Sequence, residues 1–279
     1  MLRAEPASVG RQFATKSETP RRRPPASPPT SGGCRPHAGG RLRTILTRVL
    51  DTPTPAPATA TLPVEVHFDF VCPWCLIGKR QLDAAARRFE ALVPEARVAV
   101  AWRSCELLPD TPPDGLDYED FYIRRLGSAQ AVALRRLQVK EAGRAAGVAF
   151  EFDRIRRMPN TTRAHALLAQ AAALGEPTLP SRLVDRLSTA FFIEGEDIGD
   201  PAVLERLGRA CGLPETALAA IHAAKHDGGR NRSSHGSGGV PFFVFDRTHA
   251  LSGAASVGAL LEALLETWQG RAARGLKGA

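Results

Sequence analysis

The sequence predicts an α/β domain whose sheet is interrupted by a long, purely helical stretch. Three observations carry this: an alternating apolar run over residues 64–70, a Cys-x-x-Cys that directly follows it and opens an amphipathic helix, and a helical pattern over about 118–224 that gives way to strand-like residues at 240–251. A chain of 279 residues, 43% of them apolar, is long enough to build one or two cores around such elements.

Residues 1–62 are expected to be a disordered, basic, proline-rich leader. They hold Pro24-Pro25, Pro28-Pro29 and the tract Thr52-Pro53-Thr54-Pro55-Ala56-Pro57, and a segment so composed buries too little apolar area to offset its ordering entropy. Arginines 3, 11, 21, 22, 23, 35, 41, 43 and 48 make the leader strongly basic, while residues 63–279 are nearly neutral. The overall pI of 9.8 therefore belongs to the leader and is no sign of a nucleic-acid-binding surface. The leader has the composition of an organellar transit peptide; a solvated tail and a misplaced start are equal alternatives. No run approaches a membrane span or a secretory signal, so a cytoplasmic location is expected, or an organellar one if the leader is a transit peptide.

Order is expected from residue 63. Val64, Val66, Phe68 and Phe70 alternate with polar residues, which describes a half-buried strand. Leu82, Ala85, Ala86, Phe89 and Leu92 then recur at helical spacing, with Pro73 at the first position of that helix, where a missing N–H is harmless. Val98 to Trp102 alternates again, and the intervening helix makes a parallel crossover the expected connection. These elements form the first part of the domain, 63–115. The helical insertion is placed at 116–237, with helices at 117–126, 129–146, 161–174, 178–191, 200–211 and 214–225. The second part, 238–270, contains a hairpin (240–245 and 249–251 around Asp246-Arg247-Thr248) and a last helix over 256–268, and residues 271–279 are expected to be flexible.

The chemistry points to Cys72 and Cys75. A thiol reacts as the thiolate, and the first turn of a helix offers free N–H groups and the positive end of the dipole, which favour the anion. Cys75, three residues on, lies on nearly the same face and can close a small disulfide ring or resolve a mixed disulfide. Two other readings compete. A zinc site would need a second ligand pair, which Cys34, Cys105 and Cys211 do not form, and His67 points along a strand, so no metal is expected. Two unreactive core cysteines are the remaining alternative.

Phe68-Asp69-Phe70-Val71-Cys72-Pro73-Trp74-Cys75-Leu76-Ile77-Gly78, then Pro159-Asn160-Thr161 with Ala164-His165, then Gly239-Val240-Pro241-Phe242-Phe243-Val244 and Leu251-Ser252-Gly253-Ala254, together resemble the DsbA-like thioredoxin-fold family. The nearest branch is similar to the FrnE-like oxidoreductases, relatives of 2-hydroxychromene-2-carboxylate isomerase and kappa-class glutathione transferase. The resemblance covers about residues 63–268. It implies a thioredoxin-like fold with a large all-helical insertion, Cys72 as nucleophile, Cys75 as resolving cysteine, and a cis Val240–Pro241 peptide facing the dithiol. It also implies that Trp74, Val240, Asn160 and His165 contact substrate. For Asn160 and His165 the alternatives are a helix start capped by Asn160 or a Thr and helix packing, and for Trp74 packing against the insertion is an equal alternative. The isomerase and transferase relatives carry serine where this chain has Cys72, which favours redox exchange. Ala255 stands where the family commonly has Gln, and Cys105 where Phe is usual.

The expected function is thiol-disulfide exchange with protein or small thiol substrates, using the Cys72–Cys75 disulfide itself and no bound cofactor; glutathione is a candidate co-substrate. A glutathione-dependent isomerase or transferase and a redox-idle client-binding module are the alternatives. Neither a nucleic acid nor a membrane is an expected partner.

Overall fold

The computed structural model describes residues 60–224 and 239–277. Its main sheet has four strands in the order β2-β1-β5-β6. β1 (Ala60–Phe68) runs parallel to β2 (Ala96–Ser104), as the crossover through α1 (Pro73–Leu92) requires. On its other side β1 pairs antiparallel with β5 (Phe242–Phe245), which turns into β6 (His249–Ser252). Asp246 and Arg247 both have positive φ at that turn, the twist-compatible geometry of tight hairpins.

β1 begins three residues before the expected start of order at 63. Ala60 pairs with Ala96 and Leu62 is fully buried, so 60–62 belong to the sheet and not to a leader. Pro63 is tolerated in this central strand because its carbonyl, which accepts from Asp246 N at 2.9 Å, faces the side where β5 ends. Its missing N–H therefore removes no ladder bond. The rest of the expected leader lies outside the described residues, as do the glycine-rich stretch 225–238 and Cys34. The strand is half-buried only at first: His67 is buried on the second face, and Phe70 falls in the turn beyond Phe68.

One face of the sheet packs Val64, Val66, Phe243 and Phe245 against Leu82 and Phe89 of α1 and Leu260 and Leu264 of α8 (Val257–Lys277). The last helix thus runs well past Trp268. The expected flexible tail from 271 is helical to Lys277, since Arg271 donates to Thr61 O at 2.6 Å and reaches Asp246 at 3.4 Å. Gly78 lets α1 approach the hairpin closely: a Cβ there would stand 3.0 Å from both Phe243 Cζ and Pro241 Cγ.

The insertion comprises α2 (Tyr118–Leu126), α3 (Ala129–Ala145), α4 (Thr162–Ala173), α5 (Leu179–Thr189), α6 (Pro201–Ala210) and α7 (Glu215–Ala223). Side-chain caps start three of them: Asp117, Ser128 and Asp200 each accept a backbone N–H of the first turn. α5 continues as a π-helical turn over Ala190–Glu194, ended by Gly195 at φ 78. A two-residue ladder of β3 (Leu116–Asp117) with β4 (Arg157–Met158) has too little patterning to be read from sequence.

The insertion is fastened to the sheet domain through buried Lys79, which lies 2.8 Å from Asp83 on its own helix and 2.8 Å from Asp185 on α5, and through Trp102 Nε1 donating to Ser181 Oγ at 2.9 Å. The whole is the thioredoxin-like arrangement with its helical insertion between β2 and β5.

Phe243→Ala, which empties the joint between β5, α1 and Gly78, is expected to lower unfolding free energy by about 3–5 kcal/mol, measured by urea denaturation with an unchanged m-value.

Candidate functional site

Cys72 is the N-cap of α1, held in an extended conformation (φ −92, ψ 108) by its own N–H donating to Asp69 O at 3.2 Å. Its side chain makes no capping bond to the helix. Cys75 N in turn donates to Cys72 O at 3.0 Å, which closes the first turn and brings the two sulfurs close to disulfide distance. Both thiols are free and nearly buried.

The Cys72 thiol points across to the hairpin, donating to Val240 O at 3.8 Å, and the Val240–Pro241 peptide is cis, as the resemblance implies. The two thiols differ in character. Burial, followed by a hydrogen bond with Cys72 and the nearness of its charge, pushes the Cys75 thiol well above the ordinary cysteine range, and the Asp69 backbone opposes this only in part.

Asp69 organises the loop from which Cys72 starts. Its carboxylate is fully buried, with Oδ2 accepting from Leu107 N at 2.7 Å and Oδ1 3.1 Å from His165 Nε2 on α4. The His165 ring packs against Phe68 and Phe70, centroids 5.4 and 4.9 Å apart. Sequence reasoning missed this pair. Asp69 appears there as one polar residue between two phenylalanines, and its partner lies 96 positions away. His165 is thus placed next to the dithiol loop and is buried.

Asn160 is likewise buried: its Nδ2 donates to Thr111 O at 2.6 Å and its Oδ1 accepts from Thr162 N at 3.0 Å. It sits one residue before Thr161, the N-cap of α4, and ties the start of that helix to the β2–α2 connection.

A cavity of about 230 Å³ opens between Cys72 and helices α2 and α3. Cys72, Trp74, Tyr118, Phe121, Tyr122 and Phe152 are among its walls, and Arg125, Arg135 and Arg136 stand along it. Trp74 is half-buried here, with the Arg135 guanidinium 5.6 Å from its ring centroid, so it packs on the insertion while keeping one side to the cavity. The Tyr118 and Tyr122 hydroxyls are linked, and burial pushes both phenols upward, so both remain protonated donors. None of the α2 and α3 residues was marked by the sequence, because nothing local distinguishes a cavity wall from a helix core. Asn160 and His165 are not among the lining residues.

Cys105 is buried where β2 ends, its N–H donating to Phe68 O at 2.9 Å. Cys211 is the partly exposed C-cap of α6. Among the described residues no cluster of His, Cys, Asp or Glu is arranged to hold a metal ion, and no helix is long and apolar enough to cross a membrane.

The chain resembles solved structures over about three-quarters of its length. A probable DsbA oxidoreductase from Streptomyces coelicolor shares 28% identity and a TM-score of 0.63, over 75% of this chain and 90% of that one. A 2-hydroxychromene-2-carboxylate isomerase superposes with a TM-score of 0.50 at 13% identity, covering 77% of this chain and 98% of its own, which is a likeness of fold. No curated protein sequence matches the chain. With a dithiol at the head of α1, a hairpin proline beside it and a domain model matching residues 63–265, the chain belongs to the DsbA-like thioredoxin-domain family.

Proposed function

We propose that the protein is a thiol-disulfide oxidoreductase of the FrnE-like branch, with Cys72 as the attacking sulfur and Cys75 as the resolving one. The observation that carries this reading is the asymmetry of the pair. Cys72 sits at the free N–H groups of α1 and on the cavity wall, whereas Cys75 lies one turn inside with its proton held by burial.

In the forward direction the Cys72 thiolate attacks one sulfur of a substrate disulfide, forming a mixed disulfide and releasing the first thiolate, which takes a proton from solvent. Cys75 then gives up its proton and attacks Cys72 Sγ, so that the Cys72–Cys75 bond forms and the second substrate thiol leaves. The dithiol is oxidised by two electrons and the substrate disulfide reduced by two; the reverse sequence oxidises a substrate dithiol.

Val240 and Pro241 border this chemistry from the hairpin side. The Val240 carbonyl, already within reach of Cys72, is a backbone acceptor that an extended peptide substrate would meet in strand fashion. Asn160 and His165 enter this reading as supports of the loop, through Thr111 and Asp69, and not as substrate contacts.

The cavity beside Cys72 favours a second reading, in which glutathione is a co-substrate and the insertion holds its partner molecule. Retained turnover in Cys75→Ser together with saturable glutathione binding would select it.

Mass spectrometry after mild oxidation is expected to find a Cys72–Cys75 disulfide, and Cys72→Ser to lower insulin reduction at least a hundredfold. Cys75→Ser should instead accumulate a mixed disulfide on Cys72. Failure to form either species would refute the proposal.

Because the Cys75 value is raised, its thiol keeps its proton through neutral pH and ionises only as the solution turns alkaline. Iodoacetamide at about pH 7 should therefore label Cys72 well ahead of Cys75, with Cys75 labelling rising as pH climbs beyond the ordinary thiol range of about 8.5. Equal labelling at neutral pH would contradict the assignment of roles.

A further inference from the structure

The cavity next to Cys72 has a chemical bias that the redox reading does not use. Its walls are aromatic and aliphatic, three arginines stand along it, and among the described residues no acidic side chain lines it. The three guanidiniums are not equivalent. Arg136 is committed, 2.6 Å from Glu119 and 3.8 Å from Asp153. Arg125 and Arg135 have no acidic partner within ion-pair distance among the described residues, and each lies over an aromatic ring, Phe121 at 5.9 Å and Trp74 at 5.6 Å. Both are exposed at the rim, where a charge stays hydrated until a ligand arrives.

We infer that this cavity binds one half of a small aromatic disulfide, or the matching aromatic thiol, that carries a carboxylate; the inference rests on the oxidoreductase reading of Cys72 and Cys75. Three features select this class. The volume of about 230 Å³ lies below the ~300 Å³ at which drug-sized sites begin, so it suits one ring and not a long chain. Trp74, Phe121 and Tyr122 offer ring faces and edges for an aromatic body. Arg125 and Arg135, planar donors with uncommitted charge, match a carboxylate directed out of the mouth. A ring so held brings its sulfur to Cys72 on the same wall. Cys72 then takes that sulfur as a mixed disulfide while the other half leaves as a thiolate and is protonated by solvent. Attack by Cys75 releases the ring-bearing thiol and leaves the Cys72–Cys75 disulfide.

The test compares two disulfides that differ in charge alone, bis(3-carboxyphenyl) disulfide and its bis-carboxamide. Stopped-flow oxidation of the reduced full chain is followed with each, and each rate is divided by that of a simple free thiol so that intrinsic reactivity cancels. The carboxylate is expected to react with saturation and with a kcat/KM at least tenfold above the amide, the preference shrinking as salt is added. In an Arg125→Gln, Arg135→Gln double variant the preference should fall towards one, through KM.

Equal normalised rates in the parent protein, or a preference for the amide, overturn the assignment, and this comparison needs no variant to fold. The two readings separate cleanly. If insulin oxidises the 72–75 pair while the two reagents react alike, only the cavity assignment fails. If neither reagents nor insulin produce the 72–75 disulfide, the oxidoreductase reading fails with it.

Discussion

The site depends on where one helix begins. α1 starts at the C-terminal end of the central strand β1, and the four-residue link between them leaves little choice over where Cys72 can be. Asp69 holds that link at both ends: its main chain engages the two cysteines, and its buried carboxylate is tied to Leu107 and His165. A buried carboxylate is costly unless its oxygens are satisfied, so the Asp69 pairing also fixes the insertion's α4 relative to the dithiol. Position of the sulfur and attachment of the insertion are therefore parts of one constraint.

The two cysteines acquire different chemistry from nearly the same sequence context. Two residues separate them and both are buried, but Cys72 lines the cavity at the helix start while desolvation holds the proton of Cys75 one turn on. A thiol on a cavity wall with a protonated partner behind it suits the proposed exchange, in which capture precedes release. The insertion contributes the far wall. Without α2 and α3 the start of α1 would face solvent; with them it faces rings and guanidinium groups.

The insertion is held by polar contacts as well as apolar ones. Lys79 reaches Asp185 across the boundary and Trp102 reaches Ser181, so α5 is registered on α1 and β2 by directional bonds. Leucines and phenylalanines alone permit small slides of one packed layer over another, whereas a buried ammonium, its side chain 3% exposed, held between two carboxylates does not.

The sequence by itself determined the order of the main-sheet strands and the principal helices, the parallel crossover, the hairpin and the two thiols, because each rests on short-range periodicity or on a helix that begins beside a strand. Its errors lie at ends: Ala60–Leu62 join the sheet through partners more than thirty residues away, and 271–277 stay helical because Arg271 finds Thr61. The tertiary structure alone showed that His165 meets Asp69 and Asn160 meets Thr111, that Asp69 joins the dithiol loop to the insertion, and that Arg125, Arg135 and Tyr122 face the same space as Cys72. Those facts depend on which faces meet when α2, α3 and α4 close around the start of α1, and the spacing of residues within any one helix carries no record of that meeting.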